Sequence, residues 1–326
     1  MEIWFLLLGG LVLLIVGGEL LVRGAVQVAT RLGVSPLVIG LTLVAFGTSA
    51  PELVTSLQAA LANAPGIAYG NIVGSNIANA LLIAGVAAII SPMMIASTAL
   101  KRDGIVMLAV VTAFVAFAFF MPLGRGIGIV FVGALVAYVY LAFRQERSSA
   151  PQGHGAIYDK SLALQQTDVG LAPSERLGGS VVVSGLIALG GLVLVILGGR
   201  FLVDGAVSLA RGFAISETVI GLTIVAVGTS MPELVTSVLA GIRKQGDVAF
   251  GNIVGSNIYN ILGIGGATAL VAPGEVPAEI VGFDNFVMLG VTLLLVIFAW
   301  TGLRIGRREG AVLLAGYAAY IYFILP

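Results

Sequence analysis

Apolar runs separated by short polar stretches follow one another along nearly the whole chain. A run of about 20 apolar residues is long enough to cross a bilayer as a helix. The pattern predicts helices near 3–22, 36–61, 67–91, 104–121 and 125–143, then near 180–203, 216–242, 248–272, 281–302 and 308–325. The first run follows Glu2 rather than a basic segment, so it reads as a retained helix and not a cleaved signal. Between the two sets, residues 144–179 have soluble character, with His154, Lys160, Asp168 and Glu175. That stretch is too short for a regulatory domain and reads as a cytoplasmic linker. The expected fold class is an all-α polytopic membrane protein of ten transmembrane helices. Residues 1–143 form a first five-helix repeat and 180–326 a second.

The two halves repeat in sequence. Residues 40–60, GLTLVAFGTSAPELVTSLQAA, return at 221–241 as GLTIVAVGTSMPELVTSVLAG, with 15 of 21 positions identical. GNIVGSNIAN at 70–79 returns at 251–260 as GNIVGSNIYN, and GGELLVRGAV at 17–26 returns at 198–207 as GGRFLVDGAV. The offset is constant at 181, as in 233 − 52 and 256 − 75. A gapless match of this length marks a duplication. Five is an odd number of crossings, so the second half is expected to enter the membrane from the opposite side.

Charge placement tests that expectation. With both termini extracytoplasmic, the inner loops hold Arg23, Arg31, Lys101, Arg102, Arg144, Arg147, Lys160, Arg176, Arg243, Lys244, Arg304, Arg307 and Arg308. The outer side holds Arg125, Arg200 and Arg211, a ratio of 13 to 3. Positive charge favours the cytoplasmic side, so this orientation is expected. Flanking charges differ between the halves as inversion requires: Arg23 corresponds to Asp204, and Ala62-Asn63-Ala64 to Arg243-Lys244-Gln245. Repeats of this kind place a transporter's site at mid-membrane, where the two halves meet.

Composition agrees with a membrane protein. Of 326 residues, 59% are hydrophobic and 10% charged, with a mean hydropathy of +1.10; a soluble domain carries about 25% charged residues. The formal net charge is zero, so nothing points to nucleic acid. There is no cysteine, which removes disulfides, thiol nucleophiles and Cys-metal sites. The single histidine, His154, lies in the linker, which argues against a Ser–His intramembrane protease. No nucleotide loop is present either, so an enzyme is not expected and neither is a cofactor.

Most acids lie at helix ends or in loops, including Glu19, Asp103, Asp204 and Asp284; Glu52 and Glu233 alone fall deep within apolar runs. A carboxylate at mid-bilayer costs at least about 2.5–3.5 kcal/mol and calls for a function. A structural, hydrogen-bonded acid is the plainer alternative. Thr48, Ser49, Thr229 and Ser230 precede the two acids by three or four residues, which places them on the same helix face. Pro51 and Pro232 deprive the carbonyls of Gly47 and Gly228 of their helical partner. Freed carbonyls in broken helices are typical cation ligands; a plain proline kink is the alternative. Ser75 with Asn79, and Ser256 with Asn260, stand four apart on one face, while Asn76 and Asn257 face elsewhere and suit a bridge between helices. Ser and Asn also serve simply to pack helices. Gly70, Gly74, Gly251 and Gly255 form small-xxx-small pairs suited to close packing. The donor set is all hard oxygen. Calcium takes 6–8 such ligands, and the soft ligands of transition metals are missing. Two carboxylates balance one Ca²⁺ or two Na⁺, so both ions could compete for one cage.

GTSAPELVTS and GTSMPELVTS, each followed by GNIVGSN, resemble the two alpha repeats of the cation/Ca²⁺ antiporter superfamily, and most of all the compact prokaryotic sodium/calcium exchangers. The strong motifs cover about 80 residues, and paired motifs are far more specific than one short pattern. The resemblance implies a ten-helix fold with both termini outside, alternating access with the first and sixth helices sliding against the core, and central acids at Glu52 and Glu233. It implies hydroxyl ligands at Thr48, Ser49, Thr229, Ser230, Ser75 and Ser256, backbone carbonyl ligands at Ala45 and Ala226, and an amide ligand at Asn79. The equivalent of Asn79 in the second half is Asp in some members, potassium-dependent exchangers among them. Here it is Asn260, which argues against potassium co-transport. Gly17-Gly18 and Gly198-Gly199 suit either sliding or packing.

The expected function is secondary antiport of Na⁺ against Ca²⁺, extruding calcium by alternating access. The ions are substrates, the lipid bilayer is the only other partner, and a monomer suffices. A prokaryotic plasma or inner membrane is the expected location. A proton-coupled cation antiporter using the same Glu pair is the alternative, and a cation channel is a more distant one.

Overall fold

The computed structural model describes residues 2–34, 36–39, 42–43, 45–95, 98–148, 155–167, 180–301 and 303–325; His154, Asp168, Glu175 and Arg176 lie outside them. The first half runs through α1 (Glu2–Arg31), α2 (Ala50–Leu61), α3 (Pro65–Ala78), α4 (Thr98–Phe120) and α5 (Arg125–Ser148). A short helix, α6 (Ala156–Thr167), follows. The second half runs through α7 (Val181–Phe213), α8 (Glu217–Thr229), α9 (Met231–Ile242), α10 (Gly246–Tyr259), α11 (Asn285–Thr301) and α12 (Arg307–Ile324). Turns of π-helix extend α3 through Asn79–Ile83 and α10 through Asn260–Gly265, and each leads into a further α-helical stretch, Ala84–Ile90 and Gly266–Val271.

Among the described residues, seven helical spans are long and apolar enough to cross a membrane, and an eighth forms if α8 and α9, bent by 48°, count as one broken span. Two of the ten expected spans are not among these. Within 36–61, residues 40, 41 and 44 lie outside the described residues, and a turn at Thr48-Ser49 separates Ala45–Gly47 from α2, which has 12 residues. The last helix, α12, has 18 residues, and Arg307, Arg308 and Glu309 occupy its first turn.

The longest helices pack on each other. α1 has 30 residues and α7 has 33, about 45–50 Å at 1.5 Å per residue. Glycines recur every seventh position on both, at Gly10, Gly17 and Gly24 and at Gly191, Gly198 and Gly205. A Cβ built on Gly10 would meet Leu202 and Gly198; on Gly17, Val195 and Gly191; on Gly24, Ala188 and Ser184. The partners descend as α1 ascends, so the helices run antiparallel with backbone against backbone. Small residues at such a seam permit the dispersion contacts that hold helices together in lipid. The pair lies along the broken helices: Gly47 abuts Val22, Gly199 abuts Val54, and Gln58 Nε2 donates to the Ile196 carbonyl at 2.7 Å.

α3 and α10 form the centre. From Gly66 to Ala78 and from Val248 to Ile258 every residue is buried. Turn geometry repeats with the sequence: Asn63 and Lys244, 181 apart, both adopt positive φ (55° and 60°) just before α3 and α10. A two-residue antiparallel ladder, β1 (Met93–Met94) with β2 (Arg304–Ile305), joins the loops that precede α4 and α12.

Two acids read as loop or helix-end residues are buried. Asp103 accepts from the Ala156 backbone N–H at 2.7 Å and pairs with Arg102 at 2.6 Å. Asp284 accepts from the Tyr320 hydroxyl at 2.9 Å.

Candidate functional site

The site grows from two helix starts. Ser49 (φ −86°, ψ 7°) caps α2 and Ser230 (φ −83°, ψ 8°) caps α9, so the chain breaks with the same geometry in both halves. Pro51 and Pro232 follow in the first turn, where the missing N–H costs nothing because it would have no helical partner. Glu52 and Glu233 complete these turns and are buried. A helix start carries partial positive charge, which favours a carboxylate there in a medium otherwise hostile to it.

The acids are oriented across the halves. Ser230 Oγ donates to Glu52 Oε1 at 3.0 Å, and Ser49 Oγ donates to Glu233 Oε1 at 3.2 Å. Each serine adjoins one acid and serves the other. Beneath them, Asn71 Nδ2 donates to the Glu52 carbonyl at 3.2 Å and to Ser56 Oγ at 2.9 Å. Asn252 Nδ2 makes the same pair of bonds to the Glu233 carbonyl at 3.2 Å and Ser237 Oγ at 2.8 Å. Asn71 and Asn252 thus fix the turns that carry the acids. They were not singled out above, although each occupies the second position of the repeated GNIVGSN.

The remaining expected site residues are distributed as follows. Thr229 Oγ1 donates to Asn71 Oδ1 at 3.0 Å and lies 3.0 Å from the Val225 carbonyl. The Ala226 carbonyl accepts from the Ser230 N–H at 3.1 Å and from Ser75 Oγ at 3.5 Å, and lies 3.3 Å from Thr229 Oγ1. Ala45 is buried at the start of the turn Ala45–Gly47. Asn79 Nδ2 bridges to Asn257 Oδ1 at 2.9 Å, so Asn257 links helices as its face suggested. Asn79 and Asn260 each open a π turn, a distortion that often marks functional positions. Five buried oxygens of this group have no hydrogen-bond partner among the described residues: Thr48 Oγ1, Glu52 Oε2, Glu233 Oε2, Asn79 Oδ1 and Asn260 Oδ1. Buried acceptors left open in this way can take a water or a cation. Among the described residues no three His, Cys, Asp or Glu side chains gather in one place. The donor set is therefore two carboxylates supplemented by hydroxyls, amides and carbonyls.

One occupant was not foreseen. Lys160, on α6, is buried, and its Nζ donates to Ser256 Oγ at 2.7 Å and to Ser49 Oγ at 2.9 Å, with Glu233 Oε1 3.8 Å away. Nζ also lies 6.0 Å from the centre of the Tyr259 ring, which stacks on Phe46. Burial pulls the Lys160 ammonium below its ordinary range, while Glu233 and then Glu52 hold it up. The stretch read as a linker thus sends a charged side chain into the site. A cleft of about 430 Å³ opens alongside, lined by Gly18, Glu19 and Arg23 of α1, by Thr48 and Pro232, and by Leu164 of α6.

Comparison with known proteins identifies the family. The family model described as sodium/calcium exchanger protein matches residues 2–144 and 183–325. The chain is 38% identical over 341 residues to the sodium/calcium exchanger MaX1 of Methanosarcina acetivorans, covering 98% of this chain and 97% of that one. It is 36% identical over 326 residues to the inner membrane protein YrbG of Escherichia coli, covering 98% and 97%. Its fold matches a solved structure of the sodium-calcium exchanger NCX_Mj with a TM-score of 0.64 and 33% identity, over 100% of this chain and 99% of the other. The chain therefore belongs to the sodium/calcium exchanger family and is a membrane cation exchanger, not an enzyme.

Proposed function

We propose that this chain exchanges Na⁺ for Ca²⁺ by alternating access and moves calcium outward at the expense of the sodium gradient. The observation that carries the reading is the crossed pair of carboxylates. Each accepts from a serine of the other half through one oxygen and leaves its second oxygen open and buried. Glu52 and Glu233 would supply the charge. Thr48, Ser49, Ser75, Thr229, Ser230 and Ser256 would supply hydroxyls, Asn79 and Asn260 amide oxygens, and Ala45 and Ala226 carbonyls. That set suits a hard cation of flexible coordination such as Ca²⁺. Na⁺ and Ca²⁺ are chosen by likeness to MaX1 and NCX_Mj, both named as sodium/calcium exchangers.

The antiparallel α1–α7 seam and the constant 181-residue offset support two inverted halves, 1–143 and 180–326, joined by 144–179. The distribution of Lys and Arg supports extracytoplasmic termini in a prokaryotic plasma or inner membrane. One chain contains every residue of the proposed site, which supports function as a monomer.

The test is ⁴⁵Ca²⁺ uptake into proteoliposomes preloaded with Na⁺. Uptake is expected only with an outward sodium gradient, and Glu52→Gln and Glu233→Gln should each abolish it in protein that still elutes as a folded species. Uptake driven by a pH gradient without sodium would replace the reading with proton coupling. Normal exchange in either variant would remove the site.

A further inference from the structure

We propose that Lys160 is a built-in competitor for the ion site: helix α6 delivers its ammonium to the place where a transported cation would neutralise Glu233, and so sets how much ion the exchanger needs. The proposal rests on reading Glu52 and Glu233 as ion ligands. An ammonium carries three donors and a compact positive charge. Here two donors are spent on Ser49 Oγ and Ser256 Oγ, one from each half, and the charge faces Glu233 Oε1 at 3.8 Å. All three partners belong to the proposed cage. A buried ammonium without such partners is strongly destabilising, so the seated position of α6 depends on the cage being free of metal ions.

The seat for α6 is also specific. Gly251 and Gly255, four apart on α10, expose bare backbone. The nearest atoms to a Cβ on Gly251 all belong to Asp159, and those to a Cβ on Gly255 belong to Ala156 and Lys160. Asp103 accepts from the Ala156 N–H at 2.7 Å and so places a carboxylate at the helix start. The first half shows what else such a seat can hold. Gly70 and Gly74, the counterparts of Gly251 and Gly255, pack on Gly221, Leu222 and Ala226 of the broken helix. On α10 the corresponding seat is filled by α6. Ion entry and α6 withdrawal are therefore coupled through the charge at Lys160.

The test is equilibrium ⁴⁵Ca²⁺ binding to the purified full chain, with the elution profile as a check on folding. Lys160→Met keeps the apolar stem and removes the charge. Gly251→Ala leaves Lys160 intact and crowds Asp159 out of its seat. Both are expected to lower the Ca²⁺ Kd by at least about tenfold, because apparent affinity scales with the unplugged fraction. The chain has no cysteine of its own. A single Ser161→Cys, at a buried position on α6, should react slowly with a water-soluble maleimide in ion-free protein and faster in saturating Ca²⁺. Unchanged Ca²⁺ affinity in both variants, or labelling indifferent to bound Ca²⁺, overturns the proposal. Glu52→Gln, measured in parallel, separates the two readings. Wild-type affinity there removes the ion site itself. Loss of binding there, with no gain in Lys160→Met or Gly251→Ala, removes only the competitor.

Discussion

Replacing Gly17 by Ala tests the α1–α7 seam with its own controls. A Cβ at position 17 would stand 2.7 Å from both Leu194 Cβ and Val195 N, and 2.9 Å from the Gly191 carbonyl. Carbon atoms rest at about 3.5–4.0 Å, so the helices must part by roughly 1 Å, and two of the three obstacles are backbone that cannot rotate aside. A gap of that size forfeits about a quarter to a half of the local dispersion energy, and overpacking of this kind costs about 1–3 kcal/mol. Alanine also favours the helix by about 1 kcal/mol over glycine, which would mask part of the loss. Gly9→Ala and Gly190→Ala supply the correction. They lie on the same two helices, and nothing stands within 4 Å of a Cβ built there. These two variants should gain the helical term alone, so Gly17→Ala should lie about 1–3 kcal/mol below them. The readout is thermal unfolding in one detergent at one heating rate, since membrane proteins often unfold irreversibly and a midpoint then depends on scan rate. A Gly17→Ala protein that melts at or above Gly9→Ala would refute a backbone-to-backbone seam.

Three substitutions address the site's supports and selectivity. Asn71→Ala removes bonds to the Glu52 carbonyl, Ser56 and Thr229, whereas Asn252→Ala removes those to the Glu233 carbonyl and Ser237. At a net 0.5–1.5 kcal/mol per bond, Asn71→Ala should cost about 1 kcal/mol more than Asn252→Ala in thermal unfolding; the reverse order would contradict the assignment. Asn260→Asp puts a third carboxylate where the Asn260 Oδ1 is unpartnered, and should shift the Na⁺ concentration that half-displaces ⁴⁵Ca²⁺. An unchanged displacement curve would make Asn260 purely structural.

The candidate site was largely legible because cost and repetition coincide there. A carboxylate in an apolar run is expensive, and finding one at the same place twice left few alternatives for Glu52 and Glu233. The glycine spacing likewise announced the close contacts at Gly70, Gly74, Gly251 and Gly255. What could not be read was who meets whom. The offset of 181 shows that Ser49 and Ser230 are equivalent, but not that each reaches over to the other's acid. Lys160 was opaque for a physical reason: α6 has a polar, weakly amphipathic sequence, and only a glycine seat and a cage on other helices make burial of its ammonium tolerable. The turn at Thr48-Ser49 and the charged start of α12 were hidden by the reverse effect, since hydropathy averaged over a window conceals a local break in the backbone.

The crossing of Ser49 to Glu233 and Ser230 to Glu52 bears on how such a chain could have arisen. A single half holds one acid and one serine that cannot serve it, so a half-length ancestor had no complete site. Two copies had one, if the α1 of each ran against the α1 of the other as α1 now runs against α7. If the two halves are inverted in the membrane, such a product would have had to insert in both directions and pair with itself, and fusion would have ended that search for a partner and left the halves free to diverge. The segment that joins them could then acquire a residue, such as Lys160, that no symmetric pair could have placed on one side alone.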